Sequence, residues 1–131
     1  MKKERNVYIL ETTDYKILET VSLLNKDHYY PLAEGVYKIL TGIDDEEIEQ
    51  FKDFVTYKTL VSYSSKKVSR YIVMLLRYKY LERIYDEDSD KLYLKISAKG
   101  EMELFNYRKK HKYNFVKKKV NKSKTIIKLE K

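Results

Sequence analysis

The stretch Ser64-Ser65-Lys66-Lys67-Val68-Ser69-Arg70-Tyr71-Ile72-Val73-Met74-Leu75-Leu76-Arg77-Tyr78-Lys79-Tyr80-Leu81 decides how the rest of the chain is read. Val68, Ile72, Leu75 and Leu76 recur at i, i+4, i+7 and i+8, the spacing of one face of an α-helix. With successive residues turned by about 100°, Lys66, Arg70 and Arg77 fall on the opposite face. Ser64 or Ser65 supplies a hydroxyl that accepts from an otherwise unpaired backbone N–H of the first turn. The spacing therefore predicts a helix that is apolar on one side and cationic on the other.

Directly after it, Tyr80-Leu81-Glu82-Arg83-Ile84-Tyr85 and Lys91-Leu92-Tyr93-Leu94-Lys95-Ile96 are two β-prone runs. The polar link Asp86-Glu87-Asp88-Ser89-Asp90 joins them, which reads as a β-hairpin. A cationic helix followed by a hairpin is the working part of a winged helix. The expected fold class is α+β, a mostly helical winged helix-turn-helix with a β-hairpin wing.

Working outward, Ile17, Leu18, Val21 and Leu24 predict an amphipathic helix from Asp14, capped by Thr13 or Asp14 and ended by Asn25 and Asp27. Pro31 fits the first turn of a second helix, where its missing N–H is not needed. Leu32, Val36, Ile39 and Leu40 give that helix its stripe, and Gly42 suits a left-handed cap. Gly35 within it points to a close helix–helix approach. Asp44 or Asp45 caps a third, acidic helix with Ile48 and Phe51 inward, its carboxylates favoured by the helix dipole. Phe54 to Leu60 reads as a hydrophobic connector with room for a short strand. Ser97 caps a last helix carrying Met102, Leu104 and Phe105. The expected order is α-α-α-(short strand)-α-β-β-α. The expected plan is an arm over 1–13, a winged-helix domain over 14–111 and a basic, flexible tail over 112–131.

Composition bounds the reading. At 131 residues with 43% hydrophobic content, the chain can bury one modest core. It has no cysteine, so a disulfide framework and a thiolate metal site are excluded. No apolar run is long enough for a signal peptide or a membrane span, so a cytoplasmic protein without membrane contact is expected. The net charge of +8 is uneven. Residues 108–131 hold 11 Lys or Arg and one Glu, about +10, whereas residues 1–107 hold 17 basic and 19 acidic residues, about −2. Overall charge is thus a weak argument for a nucleic-acid-binding fold, and local placement decides. Tyr63 to Arg83 carries six basic residues against one acidic, and Asp44 to Phe54 six acidic against one basic.

Tyr30-Pro31-Leu32-Ala33-Glu34-Gly35-Val36-Tyr37-Lys38-Ile39-Leu40-Thr41-Gly42-Ile43-Asp44 resembles the segment with Leu-x-Gly-x-Asp in the RecQ C-terminal (RQC) winged-helix domain of RecQ-type DNA helicases. Thr56-Tyr57-Lys58-Thr59-Leu60 is similar to that domain's next segment. The basic helix and Leu94-Lys95-Ile96-Ser97-Ala98-Lys99-Gly100 are similar to its fourth helix, wing and closing corner. The resemblance spans about residues 12–108 and is nearest to the small RQC-minor variants that stand without a helicase core. It implies duplex or forked DNA as ligand and a helicase or other DNA-processing protein as partner. Lys58 and Lys79 stand where the family usually has glycine, so the local turns are expected to differ. The hairpin tip is acidic and carries no aromatic, so strand separation is not expected. The family's four-cysteine zinc lobe and its Gly-rich phosphate loop are absent.

The candidate DNA contacts are Ser64, Ser65, Lys66, Lys67, Arg70, Tyr71 and Arg77 on the helix, and Arg83, Lys91, Tyr93 and Lys95 on the hairpin. Tyr85 belongs with the hairpin group. Lys117, Lys118 and Lys119 are candidates in the tail, which together with Arg108, Lys109 and Lys110 reads as an electrostatic arm. His28 and His111 have no ligand-spaced partners, so no metal site and no cofactor are expected. No acid–base or nucleophile set has a persuasive context, and a non-enzymatic, monomeric binder is expected. Two rivals are a winged-helix transcriptional regulator and a protein–protein interaction module using the acidic third helix.

Overall fold

The computed structural model describes residues 8–111 and 125–129. The helices are α1 (Thr12–Lys26), α2 (Ala33–Thr41), α3 (Ser65–Arg77) and α4 (Ala98–His111). The strands are β1 (Tyr29–Pro31), β2 (Leu81–Asp86), β3 (Lys91–Ile96) and β4 (Ile126–Lys128), and a 3-10 helix covers Glu46–Phe51. The described chain is α+β and about half helical, with β2 and β3 forming an antiparallel hairpin.

Helix α1 is the hub and touches every other α-helix as well as β1 and β3. It starts two residues before Asp14, because Glu11 holds the extended N-cap position and Asp14 serves from the third helical position. The Asp14 carboxylate accepts the Glu11 N–H at 2.8 Å and the Tyr8 hydroxyl at 3.0 Å. Asp14 is fully buried, and burial pushes its carboxyl above the ordinary range. The apolar stripe packs as its spacing predicts: Ile17, Leu18 and Val21 join Val36, Leu40, Val68, Ile72, Leu75, Leu81 and Leu104 in one cluster. A second cluster gathers Leu23, Leu24, Tyr29, Ile39, Ile48, Phe51, Phe54 and Ile126.

Several expectations are corrected. Pro31 lies in β1 rather than in a helix, and α2 begins after Leu32. The acidic third helix is a 3-10 helix, in which Asp45 accepts the Glu47 N–H at 2.9 Å. Its tighter winding and the turns after it bring Ile48, Phe51 and Phe54 into the same cluster within a few residues. The Phe54–Leu60 connector forms no strand. It is hooked to α2 by Lys58 N–H to Ile39 carbonyl and Leu60 N–H to Leu40 carbonyl, at 2.9 and 2.8 Å. Met102 and Phe105 are 62% and 52% exposed, so α4 turns only Leu104 of the expected three inward.

The Lys-rich C-terminal segment does not lie wholly outside the fold. β4 pairs with β1 in the register Tyr29↔Lys128, Tyr30↔Ile127 and Pro31↔Ile126. Ile126 is fully buried. This strand also explains Gly35: an added Cβ would stand 2.8 Å from Ile126 Cγ1 and 3.0 Å from the Thr125 carbonyl. The close approach is therefore to β4, not to another helix. On the other side, Tyr8 stacks on Tyr78 at 5.2 Å between ring centres. The packed unit thus reaches past 14–111 in both directions.

The joint between α3, the hairpin and α4 is tightly specified. Lys79 and Tyr80 donate back to Leu76 and Leu75 at 3.1 and 2.9 Å, a Schellman closure of α3 with Lys79 left-handed at φ 72°. The last carbonyls then meet the start of α4: Tyr78 accepts Lys99 Nζ at 2.8 Å, and Lys79 accepts the Ser97 hydroxyl at 2.6 Å. Ser97 Oγ in turn accepts the Gly100 N–H at 3.0 Å as the N-cap of α4. Gly100 is required by proximity, since a Cβ there would collide with the Tyr80 carbonyl oxygen. Asn25 ties the hairpin to the rest, accepting the Ile96 N–H at 2.8 Å and donating to the Tyr29 carbonyl at 2.9 Å.

Candidate nucleic-acid interface

Helix α3 is fixed by burial of Val68, Ile72 and Leu75, with Tyr71 and Leu76 partly buried beside them, and its opposite face is open. Ser64 caps it, its Oγ accepting the Lys67 N–H at 3.1 Å. Ser64, Ser65, Lys66, Lys67, Arg70 and Arg77 are all exposed. Lys66, Arg70 and Arg77 have no carboxylate within ion-pair distance among the described residues. Lys67 places its ammonium 4.4 Å from the centre of the Tyr63 ring. Lys66, Ser69, Arg70, Val73 and Met74 line a shallow groove of about 400 Å³. A second groove of about 260 Å³ adjoins it, lined by Tyr8, Lys67, Arg70, Tyr71 and Met74. Arg70 and Met74 line both.

Three cations elsewhere, Lys38, Lys52 and Arg108, are paired with carboxylates. Lys38 meets Asp45 at 2.8 Å, Glu47 at 3.2 Å and Glu34 at 3.5 Å. The hydrogen bond to Asp45 holds its ammonium well above the usual lysine range. Glu47 also accepts the Thr125 hydroxyl at 3.0 Å. Two carboxylates of the acidic segment are thereby engaged inside the molecule.

The structure splits the hairpin candidates. Cross-strand partners share a face, so Lys95 stands opposite Glu82 and Lys91 opposite Asp86 on one face. Arg83 is on the other face, opposite the buried Leu94. Arg83, Lys91 and Lys95 are all exposed, but they do not form one surface. Tyr93 is only 1% exposed, which corrects its assignment as a DNA contact: the ring is core, with its hydroxyl 3.2 Å from Ser89 Oγ. Tyr71 is half-buried and donates to Glu11 at 2.8 Å, and that bond pushes its phenol up. Arg108, read as part of the electrostatic arm, is bound to Glu19 in the interior. Lys117, Lys118 and Lys119 lie outside the described residues.

Sequence reasoning missed Ser69, Val73 and Met74. Helical spacing from Lys66 already places Ser69 and Val73 on the cationic face, at i+3 and i+7. It also missed Leu92, which stands across the hairpin from Tyr85 beside the tip; the two are 48% and 54% exposed. Among the described residues no group of three or more side chains is placed to hold a metal ion, and no helix is long and apolar enough to cross a membrane.

No family model matches the chain, and no curated protein matches it.

Proposed function

We propose that this chain is a non-enzymatic nucleic-acid-binding module, a winged helix of the stand-alone RQC type, that grips duplex or forked DNA through α3. The observation that carries the reading is the charge arrangement of α3. Its exposed cations Lys66, Arg70 and Arg77 stand on one face of a single helix with no carboxylate partner among the described residues. Unpaired cations beside a serine-capped helix start are the groups that phosphate oxygens meet. Two further features support it. The hairpin follows α3 directly, and the start of α4 that follows the hairpin bonds back to the end of α3 through Ser97 and Lys99. Lys58 and Lys79, at the two positions where RQC domains usually have glycine, hold left-handed backbones at φ 60° and 72°.

The mechanism is positional. The start of α3 and its cationic face bind phosphates, one hairpin face touches the flanking backbone, and a helicase or other DNA-processing protein performs any reaction. The test is fluorescence anisotropy of the full chain on labelled duplex, forked and single-stranded DNA over a salt series. Binding to duplex or fork, with log affinity falling by roughly 0.9 per log salt for each phosphate neutralised, is expected. Absence of binding, or equal binding to all three, overturns the reading.

A further inference from the structure

Val73 stands in the middle of the exposed face of α3 and is 51% exposed. A single exposed valine needs no explanation on its own. What marks Val73 is its setting. Lys66, Ser69, Val73 and Arg77 follow one another at i, i+3, i+7 and i+11, with Arg70 alongside. The stripe runs for about 16 Å along the helix at the usual rise. Cations stand at both ends of it and apolar atoms at its centre, where Val73 and Met74 wall the groove of about 400 Å³.

A helix that only clamps phosphates gains nothing from an apolar centre, because phosphates and sugars offer it no apolar counterpart comparable to a methyl. A helix lying in the major groove does gain. Its rim residues reach phosphates, and its central residues meet base edges. The one apolar group displayed there is the 5-methyl of thymine. Ser69, one turn before Val73, can donate to or accept from the neighbouring base edge.

Resting on the DNA-binding reading above, we infer that α3 reads the major groove and that Val73, walled by Met74, contacts the 5-methyl group of thymine. The module therefore favours A·T-containing duplex through a base contact rather than by backbone shape alone.

The experiment compares two alternating duplexes of equal length, dA·dT and dA·dU, which carry the same charge and differ by the methyl group. Each is titrated by anisotropy with the full chain and with Val73→Ala, whose fold is checked by circular dichroism. The native chain is expected to bind the thymine duplex about three- to five-fold more tightly, the effect of burying one methyl group. Val73→Ala is expected to bind the two duplexes equally. Equal or reversed affinities of the native chain overturn the thymine contact while leaving duplex binding in place. A Val73→Ala protein that keeps the preference overturns the assignment to Val73. Failure to bind either duplex removes the DNA-binding reading, and this inference with it.

Discussion

Arg108 lays its guanidinium against the Glu19 carboxylate, Nε to Oε1 at 3.0 Å and Nη2 to Oε2 at 3.1 Å, and so joins the far end of α4 to the middle of α1. Glu19 is fully buried, and Arg108 is 17% exposed. The Ser22 hydroxyl also accepts from Arg108, at 3.3 Å. Removing one partner leaves a buried carboxylate without its counter-charge. Arg108→Ala is expected to destabilise the fold by about 3–5 kcal/mol, measured by urea unfolding. Replacing both residues by apolar ones of similar volume is expected to cost far less, because no charge is then stranded.

Ile126 fills the space beside Gly35 and packs with Leu23, Leu24 and Ile39. Ile126→Ala is expected to cost about 2–5 kcal/mol. A chain ended after residue 111 loses the β1–β4 pairing as well, and its unfolding midpoint is expected to drop further. DNA-binding assays on such a truncated protein would report unfolding as much as loss of the tail lysines, so the full chain is the one to test.

Lys79 holds a left-handed backbone at the position where a Schellman closure prefers glycine. A residue with a Cβ costs roughly 1–2 kcal/mol there, and glycine returns part of that to the unfolded chain as entropy. Lys79→Gly is expected to stabilise the protein by about 0.5–1 kcal/mol, seen as a higher urea midpoint at unchanged slope. Gly100→Ala is expected to do the reverse, by about 1–3 kcal/mol, since the new methyl meets the Tyr80 carbonyl.

The Asp14 carboxyl sits above its ordinary value of 3.8, chiefly because it is buried. The folded state therefore binds a proton more readily than the unfolded state. This group's contribution to stability is complete below 3.8 and is lost as pH rises through the folded value. Asp14→Asn removes the titration. The stability of the native chain relative to Asp14→Asn is expected to fall with rising pH across that window and to level off above it. Thermal unfolding of both proteins over a pH series measures it.

The local pattern made much of this legible. The period of Val68, Ile72 and Leu75 gave α3 its buried face, and Ser64 its cap. The polar link after Tyr85 gave the hairpin, although Asp86 belongs to β2 and the loop is four residues, Glu87 to Asp90. What was not legible depends on partners distant in sequence. Nothing near Ile126 announces a strand, because the β1 edge that receives it lies at the other end of the chain. Gly35 signalled a close approach, but the expected partner was a helix, whereas Thr125 and Ile126 are what approach. Tyr93 looked like a surface aromatic because strand alternation does not say which hairpin face the body of the protein covers. Arg108 looked like the start of a basic arm because its buried partner Glu19 sits in an otherwise ordinary amphipathic helix.

In the proposed function, α3 within the folded unit grips DNA. The most direct measurement is duplex binding by anisotropy over a salt series, comparing the native chain with Lys66→Glu/Lys67→Glu/Arg70→Glu. All three residues are exposed, so the variant is expected to keep its circular dichroism spectrum and unfolding midpoint. Its duplex affinity is expected to collapse, and its log–log salt slope to be shallower than that of the native chain by roughly 0.9 for each phosphate it no longer neutralises. Undiminished affinity with an unchanged slope would rule out the start of α3 as the grip and leave the binding to cations elsewhere in the chain.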